Sequence, residues 1–166
     1  MISVDIIRDP GLVLQAMTHP RVWLHSSDDF SPAVDDMATH IDCDRQVWLG
    51  CWDGDEYLGC FLFQPHNPIL WEVHTVLLPI AWGARSSACA IAALEWVWSN
   101  LPAKRLVTSV PENNPLALRF AQRSGFDGYG FNPGAIQKNG KLLGLHMLGI
   151  SKPGELSSQP QRSFQQ

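Results

Sequence analysis

The chain contains few charged residues and concentrates none of them. Asp, Glu, Lys and Arg make up only 17% of its 166 residues, whereas 45% are hydrophobic. Disordered chains show the opposite balance, because they lack the apolar surface that offsets the entropy lost on folding. The hydrophobic content is enough for one sizeable core, and the length falls in the range of one domain. We therefore expect a single globular domain.

No basic stripe or patch is present either. The 12 Lys and Arg residues are scattered along the chain, and the formal net charge is −4. Proteins that bind nucleic acid through its phosphates present clustered basic side chains. We therefore expect no nucleic-acid partner for this chain.

Long hydrophobic runs are absent as well. The longest apolar stretch, residues 88–98, contains Glu95 and is shorter than the ~20 residues that cross a bilayer. At the N-terminus, Asp5, Arg8 and Asp9 interrupt the apolar residues, which is unlike a signal peptide. The sequence thus predicts a cytoplasmic protein that does not associate with membranes.

The cysteines are few and show no metal-binding pattern. None of the four forms a C-x-x-C pair or has a histidine at ligand spacing, so we expect neither a zinc site nor another metal. In a cytoplasmic protein such residues are typically reduced thiols in the core. This interpretation covers Cys43, Cys51, Cys60 and Cys89.

The N-terminal part of the chain predicts short elements. Ile6 and Ile7 are consistent with an opening strand, and residues 11–17 are an apolar helix candidate. The pair Ser31-Pro32 indicates the start of a second helix, because Ser is a good cap and Pro suits the first helical position.

The middle of the chain predicts three consecutive antiparallel strands. Residues 46–52 and 56–63 are rich in aromatic and β-branched side chains, and the Asp-Gly-Asp at 53–55 between them is a hairpin turn signal. The third strand covers residues 70–78 and ends at Pro79.

The hydrophobic period then changes to that of helices. Residues 86–100 lack Gly and Pro and are apolar nearly all round, which predicts a helix that is buried on most sides. A strand follows at 105–110 and a helix at 115–123, which Gly125 ends.

The C-terminal part predicts a hairpin and a polar tail. Residues 135–137 and 142–150 form the predicted strands, and Asn139-Gly140 is the strongest short turn signal in the sequence. These elements place the domain within residues 1–152. Residues 153–166 are rich in Gln and Ser, which predicts a flexible tail.

Two local motifs lie among these elements. Residues 76–87 read V-L-L-P-I-A-W-G-A-R-S-S, and N-P-L-A at 114–117 is followed by F-A at 120–121 and G-F at 125–126. In this order, they resemble the GNAT superfamily of acyl-CoA-dependent N-acyltransferases over residues 45–150. That family carries Q/R-x-x-G-x-G/A in the first segment and N-x-x-A, an aromatic pair and G-F in the second.

The resemblance implies a fold of the α/β (α+β) class. We expect a GNAT-like single domain with a mixed, mostly antiparallel central sheet that is flanked by helices. GNAT-like domains often dimerise through their C-terminal strands, but residues 142–150 do not settle the oligomeric state.

The first motif has a physical basis that does not depend on the family. A loop that leads into a helix presents unpaired backbone N–H groups and the positive end of the helix dipole, which suits the pyrophosphate of coenzyme A. Gly83 permits close backbone approach, Ser86 can cap the helix and Arg85 adds a cation. The alternative is that Ser86 caps a structural helix and that Arg85 points into water.

The resemblance implies acetyl-CoA as the cofactor and a defined set of binding residues. Asn114 is expected to hydrogen-bond the pantetheine arm. The whole set is Leu77, Leu78, Trp82, Gly83, Ala84, Arg85, Ser86, Ser87 and Asn114.

The sequence also departs from the family pattern. Trp82 stands where the family places Gln or Arg, and Arg85 and Ser87 stand at its next two small positions. Ala121 stands where many members place a tyrosine, proposed to protonate the leaving thiolate. We therefore identify no general acid.

Candidate bases lie on the third strand of the predicted meander. Strand alternation places Glu72 and His74 on one face, where the family has its carboxylate base, and either group could take a proton from an attacking ammonium. Backbone N–H groups near Leu77 and Leu78 could bind the thioester carbonyl. The alternative is a structural Glu–His pair on a half-exposed sheet face. The histidine at position 66 carries no pattern.

Two functions of different classes follow. The first is acetyl-CoA-dependent N-acetylation of a small amine or of a protein amino group. The second is a non-catalytic assembly role, because residues 72–79 and 110–114 resemble GNAT-like proteins of tailed bacteriophages, some of them labelled head-assembly proteins. That resemblance implies phage structural proteins as partners, a place in the host cytoplasm or the virion, and a tail anchored by Arg162 and Phe164.

Overall fold

The computed structural model describes residues 1–155. The tail predicted at 153–166 therefore lies largely outside the described residues, as do its two proposed anchors. Within residues 1–155, no helix is long and apolar enough to cross a membrane. The elements, in chain order, are β1 (Ile2–Ile6), α1 (Pro10–Met17), α2 (Pro20–Ser26), a 3-10 helix (Val34–His40), β2 (Val47–Asp53), β3 (Glu56–Pro65), β4 (Leu70–Leu77), a 3-10 turn (Pro79–Ala81), α3 (Ala84–Asn100), β5 (Arg105–Pro111), α4 (Pro115–Arg123), β6 (Asp127–Lys138) and β7 (Lys141–Ser151).

The strands of the described chain form one seven-stranded sheet in the order β1-β2-β3-β4-β5-β7-β6. All neighbouring strands are antiparallel except β4 and β5, which are parallel. The prediction of a mixed, mostly antiparallel sheet flanked by helices is confirmed. The single parallel pair matters most, because a cleft opens beside it.

The sheet is buried on both faces, and β4 contributes to both cores. Val73 and Leu77 pack on the side of α3 and α4, whereas Val76 and Leu78 pack on the side of α1 and α2. This alternation is the period of two that a strand imposes on its side chains. It confirms that Glu72, His74 and Val76 share one face. All four cysteines are free and buried in these cores, as predicted.

Helix α3 is buried along one stripe only. Ser86, Ala90, Ala93 and Val97 are buried at intervals of three to four residues, which is the spacing of one helix face. Ile91, on another face, is 59% exposed. The prediction of a helix buried on most sides was wrong, because the helix lies on the surface of the sheet and only one side meets the core.

The N-terminal region differs from its prediction in two places. Helix α2 was not predicted. Pro20 starts it, and the His19 ring nitrogen caps its first turn, 3.3 Å from the Arg21 amide. No α-helix starts at Ser31. Its hydroxyl instead accepts a hydrogen bond from the Asp28 amide at 2.9 Å, so the side chain closes a turn.

Strand β6 is longer than its prediction, because it begins at Asp127 rather than near Ala135. Strand β6 lies at one edge of the sheet, and its pairing with β7 shifts register between Gly128 and Gly130 and again between Asn132 and Ile136. Glycine and bulges are typical of edges, and they hide the alternation that marks a strand. The Asn139-Gly140 turn has positive φ at both residues and is confirmed as the hairpin turn.

Candidate functional site

A cleft opens where β4 and β5 separate. Their ladder ends at the pair Glu72 and Val107, after which β5 pairs only with β7 and β4 only with β3. The backbone N–H of Leu78 donates to Leu58 in β3 at 2.9 Å. Because backbone groups alternate in direction, those of Thr75 and Leu77 point the other way, into the gap towards β5.

The cleft has a volume of about 770 Å³ and passes through the plane of the sheet. This volume lies within the usual range of ligand sites. Residues of α3 and α4 line it on one face, and residues of α2 and the β6–β7 hairpin line it on the other. Two ligands, one entering from each face of the sheet, could therefore meet in the gap between β4 and β5.

The loop before α3 forms one end of the cleft. Gly83 occupies the N-cap position of α3, with φ of 93°. A Cβ added there would meet no atom within 4 Å. No side chain caps the helix. Ser86 and Ser87 lie inside its first turn, and the Ser86 hydroxyl donates to the Gly83 carbonyl at 2.7 Å. The backbone N–H groups of Gly83 and Ala84 are thus left at an exposed helix start.

Arg85 is held by carboxylates on the β2–β3 hairpin. Its Nη1 lies 2.6 Å from Glu56 Oε2, and its Nε lies 3.7 Å from Asp53 Oδ2. The N-terminal ammonium lies 2.8 Å from the same aspartate and, with Arg85, lowers the pKa of Asp53. The Arg85 cation is therefore already shared with two anions, rather than pointing into open water.

Trp82 follows the 3-10 turn after β4 and contacts both the end of that strand and helix α2. Its Nε1–H donates to the Leu77 carbonyl at 3.0 Å. The Arg21 guanidinium, on α2, lies 4.7 Å from the centroid of its ring. The side chain is nevertheless 39% exposed. Trp82 thus connects the loop before α3 with the helix on the opposite face.

Asn114 and Ala121 lie on the α4 side of the cleft. The Asn114 side-chain oxygen accepts from the Ala117 amide at 3.1 Å and so caps α4. This leaves its amide NH₂ for a ligand. Ala121 is buried against the core and has no proton to donate. The nearby Thr108 hydroxyl donates to the Val73 carbonyl at 2.9 Å.

Glu72 lies between two imidazoles. His66 Nε2 is 2.8 Å from its Oε2, and His74 Nε2 is 3.6 Å from its Oε1. Glu72 and His74 line the cleft. The contact of His66 with Glu72 was not predicted, although the pairing of β3 with β4 indicates it. Gln64 pairs with Glu72, so a residue two positions after Gln64 is the diagonal neighbour of Glu72 on the same face.

The loop after α2 is fastened to the tip of the β6–β7 hairpin. The Asp29 carboxylate accepts from the Asn139 amide at 2.6 Å, the Gly140 amide at 2.8 Å and the Gln137 side chain at 3.1 Å. Lys138 Nζ also donates to the Leu24 carbonyl. We call this set of contacts the Asp29 clasp. It joins two walls of the cleft on the α2 side.

Comparison with known proteins identifies the fold. No protein-family model and no curated protein matches the chain. Among solved structures, spermidine N-acetyltransferase from Vibrio cholerae, in complex with CoA and spermine, matches with a TM-score of 0.75 and 14% identity. The match covers 90% of this chain and 95% of that one.

Two further structures agree. An N-acetyltransferase from Staphylococcus aureus Mu50 gives a TM-score of 0.71 at 18% identity, over 91% of this chain and 97% of that one. A GNAT-family acetyltransferase from Streptococcus pneumoniae gives 0.68 at 16%, over 91% and 99%. The chain has the GNAT fold. At these identities the likeness shows the fold alone, and these neighbours give no support to the phage resemblance.

The described residues beside the gap have features that suit an amide-bearing ligand and a phosphate. The backbone groups of Thr75 and the N–H of Leu77 face the gap, whereas the Leu77 carbonyl accepts from Trp82, and a strand edge binds an amide-bearing chain by adding it as a further strand. Gly83 leaves open space at the helix start, which suits a phosphate. Residues 1–155 contain no cluster of His, Cys, Asp or Glu side chains that could hold a metal ion.

Proposed function

We propose that the protein is an acetyl-CoA-dependent N-acyltransferase whose acceptor is a small amine or a protein amino group. The observation that carries the proposal is the cleft between β4 and β5, which has an exposed helix start on one side and a Glu–His pair on the other. The neighbour that was solved with CoA and spermine supports both the cofactor and an amine acceptor.

The cofactor side of the cleft is built by the loop before α3 and by the end of β4. Acetyl-CoA supplies an acetyl group activated as a thioester. The Leu77 N–H points into the gap and binds the thioester carbonyl as charge develops on its oxygen. The Leu78 N–H donates to the Leu58 carbonyl, so it holds β4 against β3 and is not available to the thioester. Asn114 holds the pantetheine arm.

The part of the cleft proposed to bind the phosphates offers backbone N–H groups more than positive charge. Residues 82–87 supply the helix start, and the N–H groups of Gly83 and Ala84 are its unpaired donors. Arg85 is 2.6 Å from Glu56, so its contribution is an oriented guanidinium whose charge is partly neutralised. Ser86 secures the first turn through the Gly83 carbonyl.

The opposite side of the cleft deprotonates the amine. An amine is an ammonium ion at neutral pH and must lose a proton before it can attack. His74 lines the cleft and takes that proton, and the Glu72 carboxylate at 3.6 Å stabilises the resulting imidazolium. His66, at 2.8 Å from Glu72, positions the carboxylate. Ala121 donates no proton to the leaving thiolate, so water in the cleft supplies it.

The test is thiol release from acetyl-CoA with a panel of amines, for the wild type, Glu72→Gln and His74→Gln. Loss of the base should lower kcat by about 10²-fold and leave calorimetric binding of acetyl-CoA unchanged. His66→Ala should lower kcat less, and His66→Gln, which keeps a donor, should restore it. His40→Ala serves as the matched control. Absence of binding by the wild type would end the proposal.

A non-catalytic assembly protein on the same fold is the second candidate. Two observations favour it: the carboxylates already hold Arg85, and Ala121 offers no acid. The partner proposed here is a structural protein of a tailed bacteriophage, bound with the help of residues 153–166. This candidate predicts no heat of binding with coenzyme A and no thiol release with any amine.

A further inference from the structure

Backbone carbonyls of β4 face the gap, and side chains already occupy two of them. Val73, Thr75 and Leu77 are the residues of the strand's end that point towards β5. The Thr108 hydroxyl donates to the Val73 carbonyl at 2.9 Å. The Trp82 indole donates to the Leu77 carbonyl at 3.0 Å. Among the described residues, only the Thr75 carbonyl of this edge has no such donor.

The two donors differ in how easily they can move. Thr108 belongs to β5 and is paired with Leu148 of β7, so its backbone is fixed in the sheet. Trp82 follows the short 3-10 turn and precedes Gly83, and its side chain is 39% exposed. A rotation of its side chain is therefore enough to free the Leu77 carbonyl.

An amide-bearing chain that adds to this edge needs the Leu77 carbonyl. Addition to a strand edge pairs the N–H groups of the ligand with carbonyls of the strand. The indole N–H of Trp82 makes the same kind of bond from the same direction. The indole and a ligand amide therefore compete for one acceptor.

The indole also reaches the opposite face of the sheet. The Arg21 guanidinium lies 4.7 Å from its ring centroid and lines the same cleft. Loss of the indole from Leu77 would change this cation–π contact. The position of Arg21, on the acceptor side, is thus linked to events at the end of β4.

We infer that the Trp82 indole blocks the Leu77 carbonyl in the free protein and leaves it when the amide arm of coenzyme A binds along β4. The inference rests on the proposed function. Trp82→Phe keeps an aromatic ring beside Arg21 but removes the N–H. Because one net hydrogen bond corresponds to roughly a fivefold change in an equilibrium constant, coenzyme A should bind about fivefold more tightly to this variant.

The experiment is calorimetric titration of coenzyme A into the wild type, Trp82→Phe and Trp96→Phe. Trp96 is half-buried in α3 outside the cleft, so its variant should bind like the wild type. Tryptophan emission of the wild type, excited beyond the absorbance of adenine, should shift on binding. The Trp82→Phe protein should lack that shift.

The outcomes separate the inference from the function on which it rests. Tighter binding of coenzyme A by Trp82→Phe alone, with loss of the emission shift, supports displacement of the Trp82 indole. Equal or weaker binding by Trp82→Phe would overturn it and make Trp82 an ordinary binding residue, while the proposed function stands. No binding by any of the three proteins would overturn both.

Discussion

Gly59 determines whether the end of β4 can form, and its replacement by alanine should be severely destabilising. Gly59 lies in β3 opposite Leu77, with φ of 112°. A Cβ there would lie 2.4 Å from the Val76 carbonyl oxygen, 2.7 Å from the Leu77 Cα and 2.9 Å from the Leu78 nitrogen. All three contacts are with backbone, so no side-chain rotation can relieve them.

Two contributions set the magnitude. A positive φ of this kind costs a residue with a Cβ about 1–3 kcal/mol, and overpacking a close-packed site costs about 1–3 kcal/mol more. We expect Gly59→Ala to lower the free energy of unfolding by about 2–6 kcal/mol, with a Tm lower by roughly 10 °C near the middle of that range in a domain of this size. That is a large share of the stability of a typical domain.

Urea unfolding followed by circular dichroism, with a thermal melt alongside, measures this change. Gly128→Ala is the matched control, because its new methyl group would meet no atom within 4 Å and its φ is not positive. The control should lie within about 0.5 kcal/mol of the wild type. A Gly59→Ala protein as stable as the control would show that the strand relaxes freely, and the reasoning would fail.

Two further predictions concern groups outside the gap. The Gly140 amide, with Gln137 and Asn139, lowers the pKa of Asp29 below 3.8, so the clasp stabilises the fold above that pH and its contribution is lost as the pH falls through the lowered value. Thermal melts of the wild type and Asp29→Asn should therefore differ at neutral pH and converge as the pH falls through the lowered pKa; a constant difference in Tm would contradict this. Burial raises the pKa of Cys60 to about 12, so iodoacetamide should leave it unmodified in the native protein and label all four cysteines in urea, as read by mass spectrometry. Rapid native labelling of Cys60 would contradict its burial.

Local signals in the sequence were sufficient for most elements of the fold. The Asn139-Gly140 turn needs positive φ at both positions, and few other dipeptides satisfy that, so the turn could be predicted from two residues. Helix α4 was predicted with its bounds, because Pro115 starts it and Gly125 follows its end. Strand β6 was predicted only in part, because glycines and bulges remove the alternation that a pattern detects.

The geometry of the site could not be predicted, because it depends on contacts between residues that are far apart in the sequence. His66 reaches Glu72 through a hairpin register, and the contact is visible only after the strands are aligned. Arg85 contacts Glu56, at the start of β3, although the two residues are 29 positions apart in sequence. The bond from Trp82 to Leu77 depends on where the parallel ladder ends, which is a property of the whole sheet.

The Asp29 clasp joins segments that are about 110 residues apart in sequence. Strand β7 likewise inserts between β5 and β6, although it follows both of them in the sequence. A chain emerging from the ribosome can therefore complete the meander of β2, β3 and β4 long before it can close the α2 side of the cleft. A nascent or C-terminally shortened chain that lacks the β6–β7 hairpin would hold the loop before α3 and the Glu–His pair but would lack one wall of the cleft, so the cleft closes on the α2 side only after that hairpin has been made.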